Sequence, residues 1–107
     1  MNLNSKKCVP CRGGIPPLKN NEIKKYLGEI KGWKAIRNHH IEKTFLFKNF
    51  EEALAFANKV GKLAEKERHH PDIYLSWGKV KIITYTHKIN GLHENDFILA
   101  AKIDEIR

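Results

Sequence analysis

The chain has 107 residues, 41% of them apolar and 30% charged, which is about one soluble domain's worth with a modest core. No apolar run approaches the roughly 18 residues that span a bilayer, and Met1–Lys7 has no apolar stretch behind it, so no signal peptide is expected and the protein is expected in the cytoplasm. The 20 Lys and Arg outnumber the 12 Asp and Glu and leave a charge of +8, which raises nucleic acid as a partner. The lysines are spread along the chain, however, and no basic run reaches five residues, whereas a nucleic-acid footprint should cluster on one face.

Residues 1–18 read as an irregular N-terminal arm ahead of a single domain over 19–107, because Gly13-Gly14 and Pro16-Pro17 resist helix and strand alike. The arm carries Cys8-Val9-Pro10-Cys11. A zinc site usually needs four ligands and no second CxxC exists. A redox pair would sit beside a βαβ unit. An exposed arm with two thiols is the plainest reading, and a metal shared between subunits is the alternative. Asn20 or Asn21 can cap a first helix, in which Ile23, Tyr26, Leu27 and Ile30 recur at helical spacing and Gly32 is the stop.

Trp33–Ile36 and Ile41–Phe47 then read as two strands of a hairpin, turned at Asn38-His39. Asn49 caps a long helix, with Glu52 completing a capping-box pattern. Phe50, Ala53, Leu54, Ala57, Val60, Gly61 and Ala64 form its apolar stripe, and Phe56 and Leu63 widen it, which predicts burial on more than one side. The helix must end by residues 68–70, since Pro71 drives His70 out of helical geometry. Ile73–Trp77 and Val80–Thr86 form a second hairpin through Gly78; Val80, Ile82, Thr84 and Thr86 share one face, and Lys81, Ile83, Tyr85 and His87 the other. Asn90-Gly91 marks a turn, and a last helix covers Phe97–Ile106 with Asp96 in its first turn. The order α-β-β-α-β-β-α predicts an α+β domain, a four-stranded antiparallel sheet with three helices on one face.

Three of the six histidines stand where chemistry is expected. His69 and His70 lie between the long helix and Pro71, and His87 ends the fourth strand. In an antiparallel hairpin the end of one strand lies beside the start of its partner, which brings His87 toward the 69–70 junction. Histidine exchanges protons near neutral pH, so a cluster suits a reaction made of proton transfers. Glu65, four residues before His69 on the same helical face, is placed to orient or charge it. A zinc site is disfavoured, since adjacent residues in extended backbone point apart. Surface decoration is the competing reading of the pair. Asp96 reads first as a helix-start charge and second as support for the pocket. Trp33 reads as core. His39-His40 and His93 have no sequence partner.

Glu65-Lys66-Glu67-Arg68-His69-His70-Pro71-Asp72-Ile73, Val80–His87, Gly91-Leu92 and Asn95–Ala100, with Gly32-Trp33 and Thr44–Ala53, resemble the pterin-4a-carbinolamine dehydratase family over roughly residues 18–106. The arm ending in Gly13-Gly14-Ile15-Pro16-Pro17-Leu18 resembles the start of some bacterial members. The resemblance implies dehydration of a 4a-hydroxytetrahydropterin to the quinonoid dihydropterin, with no metal or other cofactor and the pterin as substrate. It implies a homodimer or homotetramer and a place in the aromatic amino acid hydroxylase pathway. His69, His70 and His87 would be catalytic. Pro71, Thr86, Lys88 and Ile89 would line the pterin pocket with them, and Glu65, Trp33 and Asp96 would support it. His70 and His87 are the first choices for acid and base, with His69 holding the ring. His93 stands where the family usually has a Ser or Thr cap, and Lys88-Ile89-Asn90 replaces smaller, more acidic residues at the rim. The rival readings are a module that stabilises a partner oligomer, as a transcriptional coactivator does, a nucleic-acid binder, and a dehydratase-like protein in molybdopterin metabolism.

Overall fold

The alternation at residues 80–86 reappears as one sealed and one open face. Val80, Ile82 and Thr84 have no exposed surface and Thr86 4%, whereas Lys81, Ile83 and Tyr85 stay half-buried. A computed structural model describes residues 3–9 and 13–107. Its helices are α1 (Asn20–Leu27), α2 (Phe50–Glu67) and α3 (Glu94–Ile106); its strands are β1 (Lys34–Ile36), β2 (His40–Leu46), β3 (Asp72–Ser76) and β4 (Lys79–Thr84). The sheet order is β1-β2-β4-β3 and every pairing is antiparallel. The expected α-β-β-α-β-β-α order is therefore the observed one.

Ile41 and Phe45 of β2 join Val80 and Ile82 under the helices, which contribute Ala53, Phe56 and Val60 from α2 and Phe97, Leu99, Ala100 and Ile103 from α3. Each such Ile, Leu, Val or Phe contributes about 1.5–3 kcal/mol on leaving water. Leu3, in a single 3-10 turn over Leu3–Ser5, is buried in the same core at 3% exposure. The arm is thus packed at Leu3 despite its irregular backbone.

Several boundaries differ from the sequence reading for identifiable reasons. The α1 helix stops at Gly28, not Gly32, and Lys19 rather than an Asn precedes it, its amide bonded to Glu22. The buried line of α2 is Ala53, Phe56, Val60, Ala64 and Glu67, a single face. Phe50 and Leu54, placed in the apolar stripe from spacing, are 43% and 40% exposed, whereas Ala53, Val60 and Ala64 of the same stripe are buried. Asn49 does cap α2, its Oδ1 accepting from the Glu52 amide at 2.8 Å, but Glu52 returns to the Lys48 amide rather than to Asn49.

The C-terminal end of α2 decides where the histidines go. Arg68 turns into the left-handed region, φ +56°. Its amide bonds Glu65 O, and the His69 amide reaches back to Ala64 O, the paired bonds of a Schellman stop. The helix therefore ends before His69, and Pro71 only confirms the exit. Asp72 then pairs with Ile83, and β4 runs out at Thr84. The start of β3 and the end of β4 are neighbours, so the 69–70 corner meets the chain that follows Thr84.

Candidate active site

After β4 the chain does not continue as strand to residue 86. Thr86 bridges to Gly91, its amide donating to Gly91 O at 2.8 Å, and His87–Ile89 form one 3-10 turn closed by Asn90 at φ +50°. This turn lifts His87 off the strand and sets it over the corner. His69, His70 and His87 all line one cleft of about 500 Å³, with Tyr85, Thr86 and Lys88 beside them. Pro71 and Ile89, expected in the lining, are not among the residues that line it: Pro71 directly precedes β3 and Ile89 is the last residue of the 3-10 turn.

Asp96 anchors this cleft from beneath. It is fully buried. Its Oδ1 meets His69 Nε2 at 2.6 Å and accepts from Thr84 Oγ1 at 2.7 Å; its Oδ2 accepts from Thr86 Oγ1 at 2.8 Å and from the His93 amide at 3.0 Å. The two inward-facing threonines of the β4 alternation thus serve the carboxylate rather than apolar packing. Four donors satisfy a charge that would otherwise be costly to bury. With Nε2 committed to Asp96, Nδ1 is the His69 nitrogen left to act on a ligand.

His93 also completes the start of α3. Its Nδ1 accepts from the Asn95 amide at 3.0 Å while its own amide donates to Asp96, so the imidazole caps the helix in place of a hydroxyl. Glu65 does not serve His69. Its Oε2 lies 3.2 Å from His70 Nε2, with side chains 80% and 62% exposed. The left-handed Arg68 breaks the helical relation on which that pairing was expected. Trp33 is remote from the cleft; its Nε1 donates to both Asp104 oxygens at 3.2 and 3.1 Å and its ring meets Phe45 edge-on, so it supports the core.

Four features were missed from sequence. The Tyr85 ring lies 4.2 Å from that of His87 and 4.4 Å from that of His39, centroid to centroid. His39 is held in turn by Asn90 Oδ1 at 2.8 Å, so it packs behind Tyr85, outside the residues that line the cleft. Next to it, burial and the neighbouring His39 push the His40 imidazole below its ordinary value. Glu67, 8% exposed, takes Lys102 Nζ at 2.7 Å and the Cys8 amide at 3.0 Å. Burial works to raise its carboxyl, but these donors outweigh that and hold it below the usual range. Asn95, 2% exposed, holds Val9. Helical spacing signals that Glu67 falls on the inward line of α2; nothing local signals Asn95.

The arm closes the cleft's other side through Lys7, Cys8 and Val9. Cys8 is half-buried rather than exposed, and burial with the nearby Glu67 carboxylate pushes its thiol up to about 12. Cys11, its CxxC partner, lies outside the described residues.

The arrangement joins a fixed imidazole, a second imidazole on a turn and a rim histidine in one cleft, a set able to give and take protons on a small planar ligand. Comparison with known proteins identifies the family. Residues 16–106 match the family described as Pterin 4 alpha carbinolamine dehydratase. A relative carrying that name from Alkaliphilus metalliredigens is 58% identical over 105 residues, 97% of this chain and 95% of its own. Another from Rubrobacter xylanophilus is 50% identical over 104 residues, 97% of each chain. The crystal structure of a transcriptional coactivator/pterin dehydratase from Brucella melitensis superposes with a TM-score of 0.79 at 31% identity, covering 84% of this chain and 97% of that one.

Proposed function

The chain belongs to the pterin 4 alpha carbinolamine dehydratase family, and from that premise we propose that it removes water from a 4a-hydroxytetrahydropterin in the His69–His87 cleft. The observation that carries the reading is the convergence of His69, His70 and His87 on one cavity, with His69 fixed by a buried carboxylate. The substrate bears a hydroxyl on C4a beside N5–H. One imidazolium donates a proton to the departing hydroxyl, which leaves as water. A neutral imidazole accepts the N5 proton, and the electron pair of that bond closes the C4a–N5 double bond of the quinonoid dihydropterin. No metal or cofactor enters the scheme.

Geometry favours His69 and His87 for these two proton transfers. His69 is 11% exposed and its tautomer is set by Asp96; His70 is 62% exposed at the rim, where it suits holding the ring. This division exchanges the roles that the sequence favoured for His69 and His70. We place the reaction in pterin recycling in the cytoplasm and assign the protein to a homo-oligomer. In support of the latter, Phe50 and Leu54 form an exposed apolar stripe on α2, and Tyr74 and Trp77 stand exposed at the β3 edge, at 56% and 72%.

The test is a dehydratase assay joined to a structure soaked with a dihydropterin. His69→Ala combined with His87→Ala abolishes dehydration while circular dichroism remains that of the parent, and the soaked ring lies with C4a and N5 against those two imidazoles. Near-normal turnover by the double variant ends the assignment. The relative from Brucella melitensis also bears a coactivator description, and the α2 stripe gives that second reading a surface. A dehydratase-dead variant that still captures a partner oligomer would favour it.

A further inference from the structure

The proposed proton transfers leave one wall of the cleft unused. That wall is the N-terminal arm, and buried polar groups fasten it. The Val9 amide donates to Asn95 Oδ1 at 2.9 Å and the Val9 carbonyl accepts from Asn95 Nδ2 at 2.6 Å. The Cys8 amide donates to Glu67, and the Cys8 thiol stands 3.5 Å from Asn95 O. A carboxamide that is 2% exposed and gives both its ends to one backbone residue fixes where Lys7 and Val9 stand. The arm returns to the mouth at Gly13, where an added Cβ would lie 3.8 Å from that of Lys88, and it is pinned again at Gly91, where any side chain would come within 2.6 Å of Pro17.

The lining of the cleft has a charge. Lys7, Lys66, Arg68 and Lys88 line the cleft. Among the described residues the lining holds one carboxylate, Glu67, and that group is already bound to Lys102 and the Cys8 amide. Glu65 sits outside the lining, against His70. Neither the proton transfers nor a neutral pterin ring calls for the cations of Lys7, Lys66 and Arg68 around one cleft, and their mutual repulsion is relieved by an anion placed among them.

We propose that the arm and the C-terminal end of α2 form a subsite for an anionic group, a phosphate or a carboxylate, carried on the side chain of the pterin. The inference rests on the pterin reading above and names its substrate class. Lys7 supplies a cation from the arm and Arg68 one from the helix end, where guanidinium can meet an oxyanion with two parallel hydrogen bonds.

The experiment titrates the full-length protein with 7,8-dihydroneopterin and with its 3′-phosphate, which differ by the phosphate alone, and with 6-carboxy-7,8-dihydropterin, at low and high salt. The phosphate ester or the carboxylate binds about tenfold tighter than the neutral parent at low salt, and the advantage shrinks as salt rises; the larger gain identifies the anion. The advantage falls to within about twofold when Lys7→Ala is combined with Arg68→Asn, and it survives Lys7→Arg. Asparagine suits the left-handed backbone at 68, so that substitution removes charge without strain. If the neutral parent binds and neither anion binds better, this inference is overturned and the pterin reading stands. If no dihydropterin binds, both fall. An advantage undiminished in the double variant places the anion elsewhere and also overturns it.

Discussion

His69 and His70 are joined by one peptide bond and occupy opposite kinds of site. His69 faces inward against Asp96, at 2.6 Å, with a carboxylate that has no exposed surface. His70 faces outward against Glu65, at 3.2 Å, with both side chains mostly in water. An imidazole and a carboxylate therefore make a buried, low-dielectric pair on one side and a water-screened pair on the other. Adjacent side chains at the junction part, and after the Schellman stop at Arg68 it is His69 that reaches Asp96 of α3. An imidazole that must present one nitrogen in one protonation state is served by the inner corner; one that only has to grip a ring edge is served by the rim.

The contrast can be broken most severely at its inner end. Asp96→Ala leaves the Thr84 and Thr86 hydroxyls, the His93 amide and His69 without their acceptor. Chemical denaturation is expected to show a loss of about 3–5 kcal/mol, the range for removing one member of a buried charged network. A loss under about 1 kcal/mol would mean that the corner is not held as described.

Glu67→Gln tests the neighbouring buried carboxylate, and its effect has a pH signature. The folded-state carboxyl is held below its ordinary value, so its stabilising contribution is present above the unfolded pKa and is lost as pH falls through the folded one. The variant is expected to be about 2 kcal/mol less stable than the parent at neutral pH, with the difference closing in acid below the carboxylate range. A difference that stays constant through that range and below it would show that the charge itself contributes nothing.

The smallest effect belongs to the outer pair. Glu65→Gln should change stability by less than about 0.5 kcal/mol, since an ion pair 80% and 62% exposed is screened by water and salt. A change as large as that at Asp96 would erase the distinction between the two corners.

The fold was readable because its signals are local. The β4 alternation gave the buried face, Asn49 the start of α2, and Gly78 and Asn90-Gly91 the turns. The histidine corner was readable in part, since antiparallel pairing alone brings the 69–70 junction near residue 87. What escaped was non-local or conformational. Left-handed Arg68 carries no composition cue, so Glu65 was paired with the wrong histidine. Threonines 84 and 86 read as one face of a strand, and only the fold shows that they converge on Asp96. The clamp between Asn95 and Val9 joins residues 86 positions apart. Phe50 and Leu54 have the spacing of a core stripe, and spacing does not tell which side of a helix is covered.

The most direct measurement compares dehydration of a 4a-hydroxytetrahydropterin by His69→Ala and His70→Ala under identical conditions. The inner imidazole is expected to cost about 10²–10⁴ in kcat, the usual worth of a positioned proton donor or acceptor. The outer one should raise KM and leave kcat within about fivefold. Equal losses in kcat, or a larger loss at residue 70, would contradict the assignment of proton transfer to the corner that Asp96 holds.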